Sequence, residues 1–221
     1  KASTVFFANV AQMRSRTWLD RSAYTYGLHG TPTSFTLEER IATLEGGKHT
    51  MLVSSGLAAV TMVDMALLKS GDQVLLPHNV YGPNKNFTRT ELAAWGIHHA
   101  IYDAMDASSL AAAITPATKL VWLEATGSVT LEFPDLRSLI HVVRERAPQA
   151  VIAIDNTWGA GIAFDAFALG IDVTIHALTK YPSGGGDVLM GAVTCRDEAL
   201  YRTLALSRSR VGHGVGINDV E

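Results

Sequence analysis

Two polar residues stand where apolar runs end. Asp155 closes AVIAID, and Lys180 follows IDVTIH by four residues, in HALTKYPSGGGD. A carboxylate at the end of a buried strand needs a cation or hydrogen-bond donors. A lysine in a similarly apolar setting loses part of its preference for the charged form. Its neutral amine is then a nucleophile toward aldehydes. A carboxylate is also what keeps a pyridine nitrogen protonated, so that the ring can act as an electron sink. A structural ion pair, or an exposed lysine, would use the same two residues. The pair alone leaves these readings open.

A candidate anion site lies elsewhere in the chain. Ser54-Ser55-Gly56-Leu57-Ala58 joins the apolar MLVS to the helical stretch GLAAVTMVDMALL. The N–H groups of Gly56 and Leu57 would then face outward at a helix N-terminus, where a phosphate is stabilised. Many α/β loops share this pattern. Thr179 adds a hydroxyl beside Lys180. Tyr81 follows the run QVLLP and can either stack on a flat ring or pack into the core.

Positioning these residues requires a regular scaffold. Thr36 and Glu39 form a capping-box pattern, followed by Leu37, Ile41 and Leu44 at helical spacing, and Gly46-Gly47 ends that helix. Beyond it, QVLLP, IHHAIYD, TKLVWLE, AVIAID, IDVTIH and DVLMGAVTC read as buried strands. Helices are expected over GLAAVTMVDMALL, over residues 85–94, over DASSLAAAI behind a capping Asp106, and over residues 136–146. In the last, Leu136, Leu139, Ile140 and Val143 set the buried face. The alternation predicts an α/β fold: a mostly parallel central sheet with helices on both faces. Ligands of such sheets bind at the carboxyl ends of the strands, where Tyr81, Asp155 and Lys180 fall.

Composition narrows the class. The 221 residues are 48% apolar, with 18 Lys+Arg against 21 Asp+Glu, a net charge of −3. Such a chain is globular and carries no basic footprint for nucleic acid. No run reaches the roughly 18 apolar residues that cross a bilayer. The single cysteine, Cys195, reads as a small core hydrophobe and fits a reducing, cytoplasmic compartment. The histidines lack ligand spacing, and His98 and His99 on one strand would point to opposite faces, so no metal is expected. GGKHT lacks the first glycine and the Ser/Thr of a nucleotide loop, and no G-x-S-x-G elbow occurs.

Taken together, YGLHGTPT (26–33), LEGG (44–47), SSGLAA (54–59), Tyr81, DNTWGAG (155–161) and TKY (179–181) resemble the fold-type I pyridoxal-phosphate-dependent enzymes of cysteine and methionine metabolism. The resemblance implies pyridoxal 5′-phosphate as cofactor, held by Lys180 as a Schiff base. Asp155 would pair with the pyridine nitrogen, Tyr81 would stack on the ring, and Gly56, Leu57 and Thr179 would hold the phosphate. Tyr26 would reach the phosphate of a neighbouring subunit, and together with Lys180 and Tyr81 it belongs to the implied catalytic set. Residues 1–33 would be an N-terminal arm and 34–221 the large cofactor domain. The family's smaller C-terminal domain lies outside these residues. A homo-oligomer is implied, as a dimer or a dimer of dimers, with the active site shared between subunits.

Trp158, Ser128 and the segment LGIDVTIHALTKY resemble the branch that performs carbon–sulfur β-elimination. Its substrate is a sulfur amino acid: cystathionine, cleaved to homocysteine, pyruvate and ammonia in methionine biosynthesis. Two alternatives stand beside it, a γ-acting relative and a cofactor-binding homologue without catalysis. Leu28 and Ala177 motivate the last, standing where many members carry Arg and Ser. His29 or an arginine elsewhere is left to replace the missing charge.

Overall fold

A computed structural model describes residues 3–15, 17–19, 21 and 24–221. Parts of the arm expected over residues 1–33 therefore lie outside the described residues. The rest of that segment holds a short helix α1 (Val10–Arg14) and a 3-10 turn at Gly27–His29.

Seven strands form one sheet: β1 (His49–Val53), β2 (Gln73–Pro77), β3 (His98–Tyr102), β4 (Thr118–Glu124), β5 (Val151–Asp155), β6 (Val173–His176) and β7 (Gly191–Cys195). Their spatial order is β1-β7-β6-β5-β4-β2-β3. β3, β2, β4, β5 and β6 are parallel neighbours. β7 runs antiparallel to both β1 and β6. Chain order reverses between β2 and β4, so the sheet has its switch point there.

The mostly parallel sheet with two covered faces is as expected. One apolar cluster joins the sheet to α3 (Gly56–Leu67) and α7 (Glu198–Val211), through residues such as Val63, Trp122, Ile175 and Leu204. A second lies beneath α5 (Ala107–Ala113) and α6 (Leu136–Arg146), around Leu110, Val121 and Ile152. Leu136, Leu139, Ile140 and Val143 are all buried, as their spacing demands. Asp106 caps α5 through the N–H of Ser108. Cys195 is fully buried, and burial pushes its thiol up to about 12.

Some local expectations give way. α2 spans Pro32–Glu45, and its cap is Thr31 with Ser34, not Thr36 with Glu39. Proline is favoured at the first helical position, so the helix begins as soon as Thr31 can cap it. Its buried face carries Ser34, Glu38, Ile41, Ala42 and Glu45, while Leu44 is exposed. Two glutamates displace leucine from the interior because buried donors await them. The helix after β2 also starts early: α4 (Gly82–Phe87) continues through a π-helical turn at Thr88–Leu92. The C-terminal residues, which suggest no element by pattern, form α8 (Ile217–Val220), seated by Val220 on the Ile41 and Leu52 cluster.

A buried acid links α3 to β4. Trp122 Nε1 donates to Asp64 Oδ1 at 2.8 Å, and both residues are fully buried. Asp64 Oδ2 has no partner. Burial pushes Asp64 from an ordinary 3.8 up to about 7, partly offset by the Trp122 bond. Between these values the folded chain holds a proton that the unfolded chain has lost. The associated stability is full below about pH 4 and falls as pH rises through 7. Asp64→Asn keeps an oxygen for Trp122 and removes this titration. We expect it to abolish roughly 2–3 kcal/mol of stability loss between pH 5 and pH 8. Denaturant midpoints at the two pH values measure this; an unchanged gap between them would place the pH dependence elsewhere.

Candidate active site

The parallel strands and β1 bring their carboxyl ends to one edge, and a cleft of about 910 Å³ opens there. Its lining includes Gly56, Leu57, Tyr81, Glu124, Asp155, Thr179 and Lys180. Six residues singled out by sequence thus meet in one place, although as many as 124 positions separate them in the chain.

Each is set there by its element. Ser55 caps α3 by accepting the N–H of Ala58, leaving the N–H groups of Gly56 and Leu57 at the cleft. The cap lies hard against β6 and β7. A Cβ at Gly56 would stand 2.7 Å from the Cβ of Ala177, and one at Gly191 would stand 2.3 Å from the Ser55 carbonyl oxygen. Glycine at both positions lets the helix N-terminus reach the centre of the sheet edge. Thr179 Oγ1 is engaged with Met190, the residue before β7, donating to its carbonyl at 3.3 Å and accepting its N–H at 3.2 Å.

Asp155 ends β5 on the cleft floor and accepts the Thr157 N–H at 3.0 Å. Thr157 Oγ1 in turn accepts the Ala177 N–H at 2.9 Å, tying the ends of β5 and β6 together. Burial raises the Asp155 carboxyl above its usual range, against the lowering effect of Thr157. Below it, on the last turn of α2, buried Glu45 accepts from Asn156 Nδ2 at 2.8 Å and lies 3.0 Å from His176 Nδ1. One carboxylate therefore anchors both strand ends.

Lys180 does not sit in the apolar setting its neighbours suggest. It is exposed on the turn after β6, at the cleft opening, with no ion pair to Asp155. The turn carries it past the last sheet bond, so this chain alone leaves it open to solvent. Tyr81 is 38% exposed, with its ring at the cleft. Trp158 and Tyr181 meet edge to face at 6.5 Å on another wall.

Tyr26 lies outside the cleft of its own chain and is half exposed. His29 also lies outside this cleft, where it stacks on Trp18 at 4.4 Å and pairs with Thr25. Among the described residues no arginine lines the cleft.

Glu124 was not singled out by sequence. It ends β4, is 1% exposed, and stands opposite Asp155 in the parallel register. Its Oε2 accepts the Tyr81 N–H at 2.8 Å and its Oε1 accepts the Ser128 hydroxyl. Burial, and then the neighbouring Asp155, push it up to about 7. The rule that marks Asp155, an acid closing an apolar run, marks Glu124 in TKLVWLE equally well.

Fold and cleft together define an α/β ligand-binding domain with an amine, two acids and a helix N-terminus converging at its sheet edge. The chain belongs to the Cys/Met metabolism PLP-dependent enzyme family, whose model matches residues 1–220. It is 36% identical over 222 residues to a cystathionine beta-lyase of Bordetella avium, covering 99% of this chain and 55% of that one. It is 38% identical over 170 residues to cystathionine beta-lyase MetC of Escherichia coli (strain K12), covering 77% and 43%. The structure of cystathionine gamma-lyase from Lactobacillus plantarum complexed with L-serine superposes with a TM-score of 0.89 at 26% identity, covering 99% and 54%. The chain spans about half the length of these relatives.

The family depends on pyridoxal phosphate, the expected cofactor, and the cleft's chemistry suits that group. The raised carboxyl on the floor makes no ion pair with a lysine or arginine among the described residues, which leaves it to a protonated ring nitrogen. The α3 N-terminus offers N–H groups to a phosphate. Lys180 offers the primary amine, and Tyr81 a ring to stack on. No helix among the described residues is long and apolar enough to cross a membrane.

Proposed function

We propose that the protein containing this chain is a pyridoxal-phosphate-dependent lyase that breaks a carbon–sulfur bond of cystathionine by β-elimination. The observation that carries this reading is the single cleft joining Lys180, Asp155, Tyr81 and the α3 N-terminus. Residues 34–221 are read as the large cofactor domain and 1–33 as its arm. Tyr26, exposed and away from its own cleft, suits a reach into a neighbouring subunit.

Pyridoxal phosphate supplies, when bound, an electron sink for charge developing at the α-carbon. Lys180 would hold it through its side-chain amine. That amine, when free, would accept the α-proton and return a proton to the departing sulfur, acting as base and then acid. Asp155 would keep the ring nitrogen protonated. Tyr81 would cover one face of the ring. Gly56 and Leu57 N–H groups would hold the phosphate, joined by the Thr179 hydroxyl once it turns from the Met190 carbonyl.

Trp158 and Ser128 both line the cleft and favour the β reaction, as do relatives named cystathionine beta-lyase. The second reading is γ-elimination, favoured by the close fit to a γ-lyase structure. The same lysine can take a further proton from the β-carbon, so only products separate the two. The full-length protein, loaded with pyridoxal phosphate and given L-cystathionine, should release pyruvate. Release of 2-oxobutyrate would transfer the assignment to γ-elimination.

A further inference from the structure

Glu124 occupies the switch point of the sheet, where the loops after β2 and β4 part. Neither loop is held there by sheet bonds alone. The β2 loop carries Tyr81, which starts α4 without any side-chain cap. The β4 loop carries Ser128. Glu124 has one oxygen on each: Oε2 on the Tyr81 N–H, Oε1 on the Ser128 hydroxyl. A second link runs parallel to it, from Asn79 Nδ2 to Glu132 Oε2 at 3.1 Å. The β4 loop backbone also rests on Asn79, because a Cβ at Gly127 would lie 2.2 Å from its Nδ2. The second link pins the bases of the two loops, and Glu124 pins the residues that line the cleft.

We propose that Glu124 is a positioning residue, whose carboxyl holds Tyr81 and Ser128 as one unit beside Asp155. This rests on the reading that the cleft takes pyridoxal phosphate, with Tyr81 against its ring. Ring stacking depends on where the Tyr81 backbone stands, and the Glu124 carboxylate fixes that backbone at the cleft floor. Removing the carboxylate takes from the Tyr81 N–H the acceptor that holds it. Burial and Asp155 raise Glu124 enough that its neutral form is within reach at neutral pH. A glutamine therefore reproduces the arrangement: its carbonyl accepts from Tyr81 and its amide donates to Ser128, whose hydroxyl can rotate.

The test uses the full-length protein and titrates pyridoxal phosphate into Glu124→Ala, Glu124→Asp and Glu124→Gln, following the visible absorption of the bound cofactor. Alanine removes both bonds, and aspartate keeps the charge but falls one methylene short. Each should weaken binding by at least about tenfold and shift the absorption band, as loss of a bond to a charged group predicts. Glutamine should bind within about threefold of the parent. If alanine does not fold, as judged by circular dichroism without cofactor, aspartate decides. Parent-like affinity and spectrum in aspartate, or in alanine if it folds, overturn the proposal. So does a glutamine variant as weak as alanine. Lys180→Ala serves as the control. If it leaves the bound absorption unchanged, the cofactor reading of the cleft fails. If it alters the absorption while the Glu124 variants do not, only the role of Glu124 fails.

Discussion

Lys180→Ala should abolish turnover of L-cystathionine, lowering kcat by at least about a thousandfold, within the range that a positioned base and acid contributes. The argument is local. Lys180 is the amine at the mouth of the cleft, on the turn between β6 and β7, and Asp155 lies on the floor of the same cleft. No other lysine lines the cleft among the described residues. Because Lys180 is exposed, its truncation should cost less than about 0.5 kcal/mol of stability. A folded variant with parental turnover would end the scheme, since no other group here could both hold an aldehyde and move the α-proton. Turnover and thermal midpoint measured on the same full-length preparation keep the two effects apart.

Asp155→Asn should lower kcat by roughly a hundredfold, about what replacing an ionic hydrogen bond by a neutral one costs at its upper end. Asparagine has the same shape and still accepts the Thr157 N–H, so the end of β5 keeps its place. It cannot hold a ring nitrogen in the protonated form. The stability effect has the opposite sign. Burial raises the Asp155 carboxyl in the folded chain, so ionising it as pH rises costs folded-state stability. The amide never ionises, and the apo variant should have a higher thermal midpoint than the parent at alkaline pH. An unchanged kcat in Asp155→Asn would remove this carboxyl from the chemistry.

Much of this architecture is legible in residue patterns. Apolar segments of four to seven residues form the strands, because a strand covered on both faces has no polar side to show. The face of α6 follows from Leu136, Leu139, Ile140 and Val143, since helical period alone decides which of them share a side. The start of α2 is harder to place. Thr31-Pro32-x-Ser34 and Thr36-x-x-Glu39 both offer caps, and the earlier wins because proline can begin the helix. The direction of β7 leaves no mark in GAVTC, because an apolar run reads the same whether its neighbours run parallel or antiparallel.

The cleft divides the same way. Residue type and placement at strand ends determined Asp155, Lys180, Tyr81, Gly56, Leu57 and Thr179 as candidates, because an acid or amine next to an apolar run has to be accommodated. Only the tertiary structure decided that they share one cleft, since strand order β2-β4-β5-β6 brings residues 81, 124, 155 and 180 side by side. It also decided which carboxylates support the others. Glu45 and Glu124 each spread two oxygens over partners from different elements, and such partnerships arise from packing between segments remote in the chain. Sequence by itself determined the chemistry available to this protein; the fold decided which groups stand close enough to use it.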